Sequence, residues 1–519
     1  MVLPDELPDD VEQLQELVRE LFHQYQRTEE DRARLKLRLD ELLRRTYGRK
    51  TEQVSLKQLQ LFLDGLPSSS PVDPPDKGHD EGLASGDDED EEEGERKRKK
   101  KRGKGTGRRP LPKDLRRIPV DVPPLQQGPG WKCIGYETSE RLEWHPGEWV
   151  VLEVNRPKMV REGQPSEGVI SPDAPFLLPK ALPGNGLLAR VLVSKFADHL
   201  PLHRQVGIMQ REGIELATST LCGWVRQSAG ALFVLVQAMA RQLRQSRWVQ
   251  ADETPLTVLE GPKKRPHKGW VWVYMNGDHV VYEYTRSRSK TNPARFLADF
   301  QGTLQVDGYT GYNLVCSEGD TIRAGCWAHV RRKFFDATRS EPVLAGQALA
   351  FIRRIYRKEH EAKWRVPEPL LGEDLVAWRN QHIRPIIEQF WDWLQQWRPK
   401  VPPSSQLGKA IGYAVNQWPT LLVFLDNADI SPDNNAAERQ ERRVAIGRNN
   451  WLFAGSEAGA KHAAVILSII GSCQLAGVDP YTYMTWLFER LHWWPRNRIL
   501  ELTPKGYADA LEDDRLADP

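Results

Sequence analysis

The stretch Trp248-Val249-Gln250-Ala251-Asp252-Glu253-Thr254-Pro255 decides the fold, because it predicts a short β-strand that ends at an aspartate. A second stretch of the same kind, Thr303-Leu304-Gln305-Val306-Asp307-Gly308-Tyr309, predicts another strand with an aspartate at its end. Two aromatic and β-branched runs lie between them, separated by Asn276-Gly277-Asp278, which is typical of a β-hairpin. The predicted order is therefore strand, hairpin, short helix near 293–300, and strand.

A third acid lies in Ser431-Pro432-Asp433-Asn434-Asn435-Ala436-Ala437-Glu438-Arg439. Asp433 and Asn434 are good N-cap residues, so Glu438 is predicted about one turn inside a new helix. Glu438 could simply pair with Arg442 on a solvated helix, a contact that contributes only about 0.2–0.5 kcal/mol. Two acids at strand ends and one at a helix start favour a shared site instead. This order of elements is the one expected of an α/β fold with a ribonuclease-H-like sheet.

Three carboxylates in this arrangement suit phosphodiester chemistry. Two divalent ions about 3.5–4 Å apart can activate an attacking oxygen and stabilise the leaving oxygen of a phosphodiester. Mg²⁺ prefers oxygen ligands and usually takes one or two carboxylates, with phosphate and water completing its shell. Asp252, Asp307 and Glu438 are therefore the predicted catalytic and metal-binding residues, with two ions of Mg²⁺ or Mn²⁺.

The sequence resembles the large-subunit transposases of the insertion-sequence-66 family, which belong to the DDE class. The segments that carry the resemblance are 43–52, 195–205, 252–254, 307–309, 325–334, 433–456 and 477–481. The resemblance covers roughly residues 35–505 and implies a ribonuclease-H-like catalytic core. It also implies that the acidic triad is Asp252, Asp307 and Glu438.

Two departures from the family pattern concern the N-terminal module and the helix after Glu438. Relatives commonly carry paired CxxC cysteines in the module, whereas Ile118 to Arg161 contains only Cys133. Four ligands cannot be assembled there, so no structural zinc is predicted. In Arg439-Gln440-Glu441-Arg442-Arg443, relatives tend to carry a more apolar stretch that ends in proline, and this change leaves Glu438 itself in place.

Composition indicates a soluble, multidomain protein. The chain has 519 residues and a net charge of +2, so any DNA-binding surface must arise from local segregation of charge. The five cysteines form no recognisable disulfide spacing, which fits a reducing bacterial cytoplasm with association to the nucleoid. The longest apolar stretch, 463–471, is much shorter than a membrane span, and no signal peptide begins the chain.

The chain divides into eight predicted segments. Residues 1–66 form a helical segment whose apolar seam at 14–42 either pairs two chains as a coiled coil or packs on its own chain. Residues 67–117 form a disordered charged linker whose basic run 96–102 is either solvated or in contact with phosphates. The other six are a small β-rich module at 118–175, a helical region at 176–245, the catalytic core at 246–335 and 431–490, a helical insertion at 336–430 and a tail at 491–519.

The helical region 176–245 resembles a helix-turn-helix. Three helices are predicted within 187–230, and the third would place Ser219, Thr220 and Arg226 near DNA. The same three helices could instead be a plain packing unit. In the insertion, a tryptophan-rich pattern indicates buried aromatic core, with bracing of unpaired DNA as the alternative.

Basic residues beside the acids are predicted to contact DNA. Arg442, Arg443 and Arg448 with Trp451 suit phosphate contacts next to a scissile bond, and solvation of a helix surface is the alternative. Arg331 and Arg332 follow Cys326 and His329, a pair spaced like half of a metal site. Since the sequence shows no second half, a structural or phosphate-facing role is favoured for this motif.

The resulting hypothesis is a DNA transposase that cleaves the ends of an insertion sequence and joins the 3′-hydroxyl to target DNA. Its expected partners are the terminal repeats and target DNA, further copies of the chain as a homo-oligomer, and small accessory proteins of the same element. A nuclease of the same fold, a catalytically silent DNA-binding relic and, remotely, a glycosidase remain alternatives.

Overall fold

The computed structural model describes residues 111–124, 131–145, 147–161, 169–260, 265–317, 320–364 and 368–513. The predicted N-terminal helix and most of the charged linker lie outside these residues. The linker prediction is wrong at its C-terminal end, because strand β1 begins at Arg116 and the side chains of Leu111 and Leu115 pack against the core.

A three-stranded sheet forms the small N-terminal module. Its strands are β1 (Arg116–Asp121), β2 (Trp131–His145) and β3 (Glu148–Arg161). The strand order is β1-β3-β2, with β1 parallel and β2 antiparallel to β3. Near the end of β2, Glu143 accepts hydrogen bonds from the backbone N–H groups of Gly186 and Leu187, at the start of the next helix. This buried carboxylate therefore ties the module to the helical region.

Three helices follow the module as the sequence predicts. They are α1 (Asn185–Phe196), α2 (Leu202–Arg211) and α3 (Thr218–Arg244). Between α2 and α3, Gly213 has a φ of 82°, a conformation that glycine adopts without steric cost. Helix α3 extends well beyond the predicted end and buries one face in the main core, through residues such as Leu221 and Trp224. On the same helix Ser219 and Arg226 are exposed, and Thr220 is half-buried.

The central sheet has five strands in the order β6-β5-β4-β7-β8. They are β4 (Trp248–Glu260), β5 (Arg265–Met275), β6 (Val280–Thr285), β7 (Thr303–Gln305) and β8 (Ile322–Ala324). Strand β5 is antiparallel to both β4 and β6, whereas β7 and β8 run parallel to β4. Helices α4 (Thr291–Phe296) and α5 (Asn313–Ser317) connect the last three strands. These observations confirm the predicted α/β class.

A bundle of helices is inserted between the last strand and the helix that carries Glu438. It begins after α6 (Trp327–Ala337), and its members are α7 (Pro342–Lys363), α8 (Gly372–His382), α9 (Arg384–Trp397), α10 (Gln406–Asn416) and α11 (Trp418–Leu422). The bundle has its own hydrophobic core, which includes Phe390 and Trp393 and reaches Trp327 of α6. Most tryptophans here pack in this core or beside it, whereas Trp364 is 71% exposed.

Among the described residues, four α-helices follow the insertion, and the first two of them pack against the sheet. They are α12 (Asn435–Trp451), α13 (Glu457–Leu475), α14 (Pro480–Arg490) and α15 (Pro504–Glu512). Helix α13 is long and apolar enough to cross a membrane, but 11 of its residues are buried in the protein, and Ser468 and Ser472 bond the backbone of β6. It is a core helix. The segment predicted as a tail also packs on the core, through Leu502 and Tyr507.

Candidate active site

The register of the parallel strands brings the two predicted aspartates side by side. Gln250 of β4 pairs with Gln305 of β7, and each aspartate lies two residues further along its own chain. The prediction that Asp252 ends a strand is wrong, because β4 continues to Glu260 in its pairing with β5. Asp252 instead lies where β4 separates from β7. Both carboxylates therefore reach the carboxyl edge of the parallel part of the sheet.

Helix α12 adds Glu438 to this edge from its first turn. Glu438 Oε2 accepts a hydrogen bond of 3.2 Å from Arg332 of α6, and Oε1 lies 3.6 Å from His329 Nδ1. Among the described residues Glu438 forms no ion pair with Arg442, so the simple helix-surface pair is not what the structure shows. Both Asp307 and Glu438 raise the pKa of Asp252 by charge repulsion. The three acids thus share one electrostatic environment.

The pKa of Asp252 is raised to about 8, mainly because burial removes its carboxyl from water, and to a smaller extent by repulsion from Glu253 and Asp307. The adjacent Glu253 is compensated, since Arg288 Nε donates to it at 2.8 Å and the Tyr312 hydroxyl at 2.6 Å. Asp252 itself accepts a hydrogen bond of 3.0 Å from the Glu253 backbone N–H. The site therefore concentrates acidic groups whose ionisation is disfavoured, and a bound cation would relieve that penalty.

Glu441 is a further acid in this site that the sequence did not reveal. It lies one turn after Glu438, and its carboxyl is hydrogen-bonded to that of Asp252. Burial, followed by the charges of Asp252 and Glu253, raises its pKa well above the ordinary value. Its Oε1 atom is buried and has no hydrogen-bond partner among the described residues. The sequence departure at 439–443 is therefore part of the site.

Two buried glutamines hold the three acids in place. Gln250 Nε2 donates to Gln305 Oε1 at 2.8 Å and to the Asp433 carbonyl at 3.2 Å, while Gln250 Oε1 accepts from Ala437 N–H at 3.2 Å. Gln305 Nε2 donates to the Ser431 carbonyl at 2.6 Å. Ala437 is in the first turn of α12, so a side chain of β4 supplies a cap for that helix. We call Gln250 and Gln305 the glutamine clamp.

Family models match most of the chain. A model described as the transposase IS66 family matches residues 180–462, and the IS66 C-terminal element matches 468–504. The chain belongs to the IS66 transposase family. A third model, described as the transposase C of IS166 homeodomain, matches residues 34–120, which include the predicted charged linker. The predicted family is thus confirmed across the chain, and with it the assignment to DNA transposition and DNA binding.

Two curated relatives come from Sinorhizobium fredii. The uncharacterized protein y4qI is 32% identical over 411 residues, which are 75% of this chain and 74% of the relative. The uncharacterized protein y4hP is 30% identical over 426 residues, which are 76% of each chain. The similarity to each relative therefore extends over about three quarters of this chain and of the relative.

Some of the predicted DNA-facing residues of this IS66-family chain are exposed, and the others are buried or bonded within the protein. Arg331 and Arg442 are exposed, and Arg332 reaches Glu438. Arg443 is only 7% exposed and donates to Gln474 of α13, so its predicted contact with DNA is wrong for this structure. Arg448 donates to the Thr254 hydroxyl at 3.0 Å and to the Pro255 carbonyl at 2.7 Å, which fastens α12 to β4. Trp451 is half-buried and lies under the Lys195 ammonium, 5.5 Å from it.

We expect Gln250→Leu to weaken the folded state and the site together. The substitution removes the partners of the Ala437 N–H and of the Gln305 side-chain oxygen, and each buried unsatisfied group costs about 1–3 kcal/mol. Urea unfolding should show a loss of that order, and the affinity for Mn²⁺ should fall because the start of α12 is no longer fixed. Gln301→Leu is the control, since Gln301 is exposed. Equal effects of the two substitutions would contradict the clamp.

The acid site also predicts how stability depends on pH. A carboxyl whose pKa is raised on folding favours the folded state at low pH, and this stability is lost as the pH rises through the folded pKa. For Asp252 the interval runs from about pH 4 to about pH 8. The melting temperature without divalent ions should therefore fall across this interval, and Mg²⁺ should restore it at pH 8. The prediction would be contradicted if the melting temperature without Mg²⁺ did not change with pH and Asp252→Asn showed the same pH profile as the wild type.

Proposed function

We propose that the chain is a DNA transposase that cleaves the ends of an insertion sequence and transfers the resulting 3′-hydroxyl into target DNA. The observation that carries the proposal is the convergence of Asp252, Asp307 and Glu438 at one edge of the central sheet. The strand order β6-β5-β4-β7-β8, with a hairpin on one side of β4 and parallel strands on the other, supports a ribonuclease-H-like core. Family membership supports DNA as the substrate.

The residues present fit divalent cations. All three proposed ligands are carboxylates, and Glu438 Oε1 is buried without a hydrogen-bond partner among the described residues. Asp252, Asp307 and Glu438 would hold the ions, and Mg²⁺ or Mn²⁺ suits such oxygen donors. When bound, two such ions supply charge neutralisation at the attacking and leaving oxygens of the phosphodiester.

The chain's own residues position the reacting groups. The glutamine clamp keeps α12 against β4 and β7, which fixes the separation of Glu438 from the two aspartates. Arg332 holds Glu438 Oε2 and thereby leaves Oε1 directed elsewhere. Exposed Arg331 and Arg442 lie on the helices that carry these groups and would contact backbone phosphates. A water molecule would attack first, and the freed 3′-hydroxyl would attack target DNA second.

Further partners follow from the joining of two ends. We include a homo-oligomer, because two element ends must meet in one complex, and small accessory proteins encoded by the same element. Ser219 and Arg226, exposed on α3, would read DNA if the three-helix region acts as a helix-turn-helix. Terminal repeats and target DNA are the proposed nucleic-acid partners.

The experiment that tests the function is an assay of joining. Purified protein is incubated with labelled linear DNA that carries its own element ends, a target plasmid and Mg²⁺. We expect nicks at the ends and labelled strands covalently joined to the plasmid. Cleavage without joined strands would instead indicate a nuclease of the same fold, whereas binding without cleavage, even with the accessory proteins added, would indicate a silent relic.

A further inference from the structure

A second set of ligand atoms lies next to the acid site: it shares Glu438 with that site and adds Cys326 and His329, which the proposed reaction does not use. Cys326, His329 and Glu438 each offer one ligand atom, and these atoms all lie within 4.8 Å of one another. The separation of His329 Nδ1 from Glu438 Oε1 is 3.6 Å. Bond lengths to Zn²⁺ give about 3.3–3.5 Å for the same edge of a tetrahedral site. A small rotation of the side chains would therefore bring all three atoms into range of one ion.

Two of the candidate ligand atoms are buried without hydrogen-bond partners among the described residues. His329 Nδ1 and Glu438 Oε1 form no hydrogen bond with any described residue. Asn434 is fully buried, and neither polar atom of its side chain has a partner among those residues. Buried polar groups are nearly always satisfied in folded proteins, so several unsatisfied groups in one place point to a missing ligand.

Two backbone N–H groups lie against the sulfur of Cys326, whereas burial raises the pKa of its thiol to about 12, so the thiol would give up its proton when it binds an ion. Cys326 is the N-cap residue of α6, which places His329 one turn further on. The backbone N–H groups of Asn434 and His329 hydrogen-bond the Cys326 sulfur. Such donors stabilise a sulfur that carries negative charge. The Trp327 N–H donates to the Pro432 carbonyl at 3.0 Å, which fixes the start of α6 against the segment that leads to Glu438.

We propose that Cys326, His329 and Glu438 form a site for a thiophilic divalent ion such as Zn²⁺, adjacent to the acid site and sharing Glu438 with it. A thiolate with an imidazole selects Zn²⁺ over Mg²⁺, which takes oxygen ligands. Glu438 could bind through Oε1 while Oε2 remains on Arg332. Because Glu438 cannot serve both ions, Zn²⁺ would inhibit the Mg²⁺-dependent reaction; only this consequence rests on the proposed function. Glu438 is thus a third ligand, which the spacing of Cys326 and His329 in the sequence does not indicate.

Cobalt absorption tests the site without reference to catalysis. The full-length protein is titrated with Co²⁺, and a thiolate-to-cobalt charge-transfer band in the near ultraviolet is expected. The band should disappear in Cys326→Ser, remain in Cys316→Ser, whose thiol lies on α5, and be displaced by Zn²⁺. A missing band, or a band that persists in Cys326→Ser, would overturn the proposal.

Two further measurements keep the proposal testable if Cys326→Ser folds poorly. X-ray absorption of the zinc-loaded wild-type protein should show one sulfur at about 2.3 Å and nitrogen or oxygen ligands at about 2.0–2.2 Å. A shell without sulfur would overturn the site. The Zn²⁺ concentration that halves Mg²⁺-dependent joining should rise at least about tenfold in Cys326→Ser, relative to that variant's own activity. If the wild-type protein joins no DNA, the proposed function fails, and the cobalt and absorption spectra still decide the site.

Discussion

Asp252→Asn is expected to lower cleavage of element ends by more than about 10³-fold, the order of loss found when one member of a catalytic unit is removed. Asparagine keeps the size of the side chain but removes the charge that would hold a divalent ion. Binding of the DNA ends should remain close to that of the wild type, because the exposed arginines are unchanged. Gel-shift titration and end-labelled cleavage in Mg²⁺ measure the two properties separately.

The same substitution should stabilise the metal-free protein at pH 8. Asp252 is repelled by Glu253, Asp307 and Glu438, so loss of its charge relieves the site. A variant that is more stable but inactive distinguishes a functional acid from a structural one, since active sites commonly retain strain at the expense of stability. Asp320→Asn is the matched control, because Asp320 is exposed. Asp307→Asn and Glu438→Gln should show the same loss of cleavage, and full activity in any of the three would overturn the assignment.

The fold was predictable where the signal is local. Strands around 248–252, 270–274, 280–284 and 303–305 follow from β-branched and aromatic residues, and the hairpin follows from Asn276-Gly277-Asp278. The end of β4 was not predictable, because its extension to Glu260 depends on pairing with β5, the next strand along the chain. Similarly, the length of β2 was not predictable, since it depends on pairing with the long partner β3.

The three main acids of the candidate site could be predicted from the sequence, but the residues that surround and hold them were not predicted. Gln250-Ala251-Asp252 and Gln305-Val306-Asp307 repeat the same Gln-x-Asp spacing, and this repeat was the signal that could have revealed the glutamine clamp. Glu441 carries no comparable signal. A glutamate three residues after Glu438 reads as an ordinary helix-surface acid until the packing of α12 on β4 places it beside Asp252. Likewise, a charged residue is expected at the surface, so the sequence did not indicate that Arg443 is buried against Gln474.

The helical insertion supports the site through one fully buried arginine. Arg379 of α8 pairs with Glu359 of α7, with Nε 2.9 Å from one carboxylate oxygen and Nη2 2.5 Å from the other. Its remaining donors bond the carbonyls of Phe424 at 2.6 Å, Asn427 at 2.9 Å and Ile430 at 3.0 Å. These carbonyls lie just before Ser431, the residue bonded by the glutamine clamp. Arg379 therefore connects the core of the insertion to the segment that leads into the Glu438 helix.

Arg379→Ala is expected to lower the free energy of unfolding by about 3–5 kcal/mol, because it leaves the buried Glu359 with only the partly exposed Lys363 as a charged partner among the described residues. Arg379→Lys should lose nearly as much, since an ammonium cannot reach two carboxylate oxygens and three carbonyls at once. Urea unfolding measures both losses, with Arg384→Ala as control: its pair with Asp426 is exposed, and such pairs contribute about 0–1 kcal/mol. The double substitution Glu359→Leu with Arg379→Met should recover part of the stability, because the buried charge is gone, while the carbonyls of Phe424 and Ile430 still lack the arginine as a donor. If Arg379→Ala costs no more than Arg384→Ala, the insertion does not hold the Glu438 helix through this arginine.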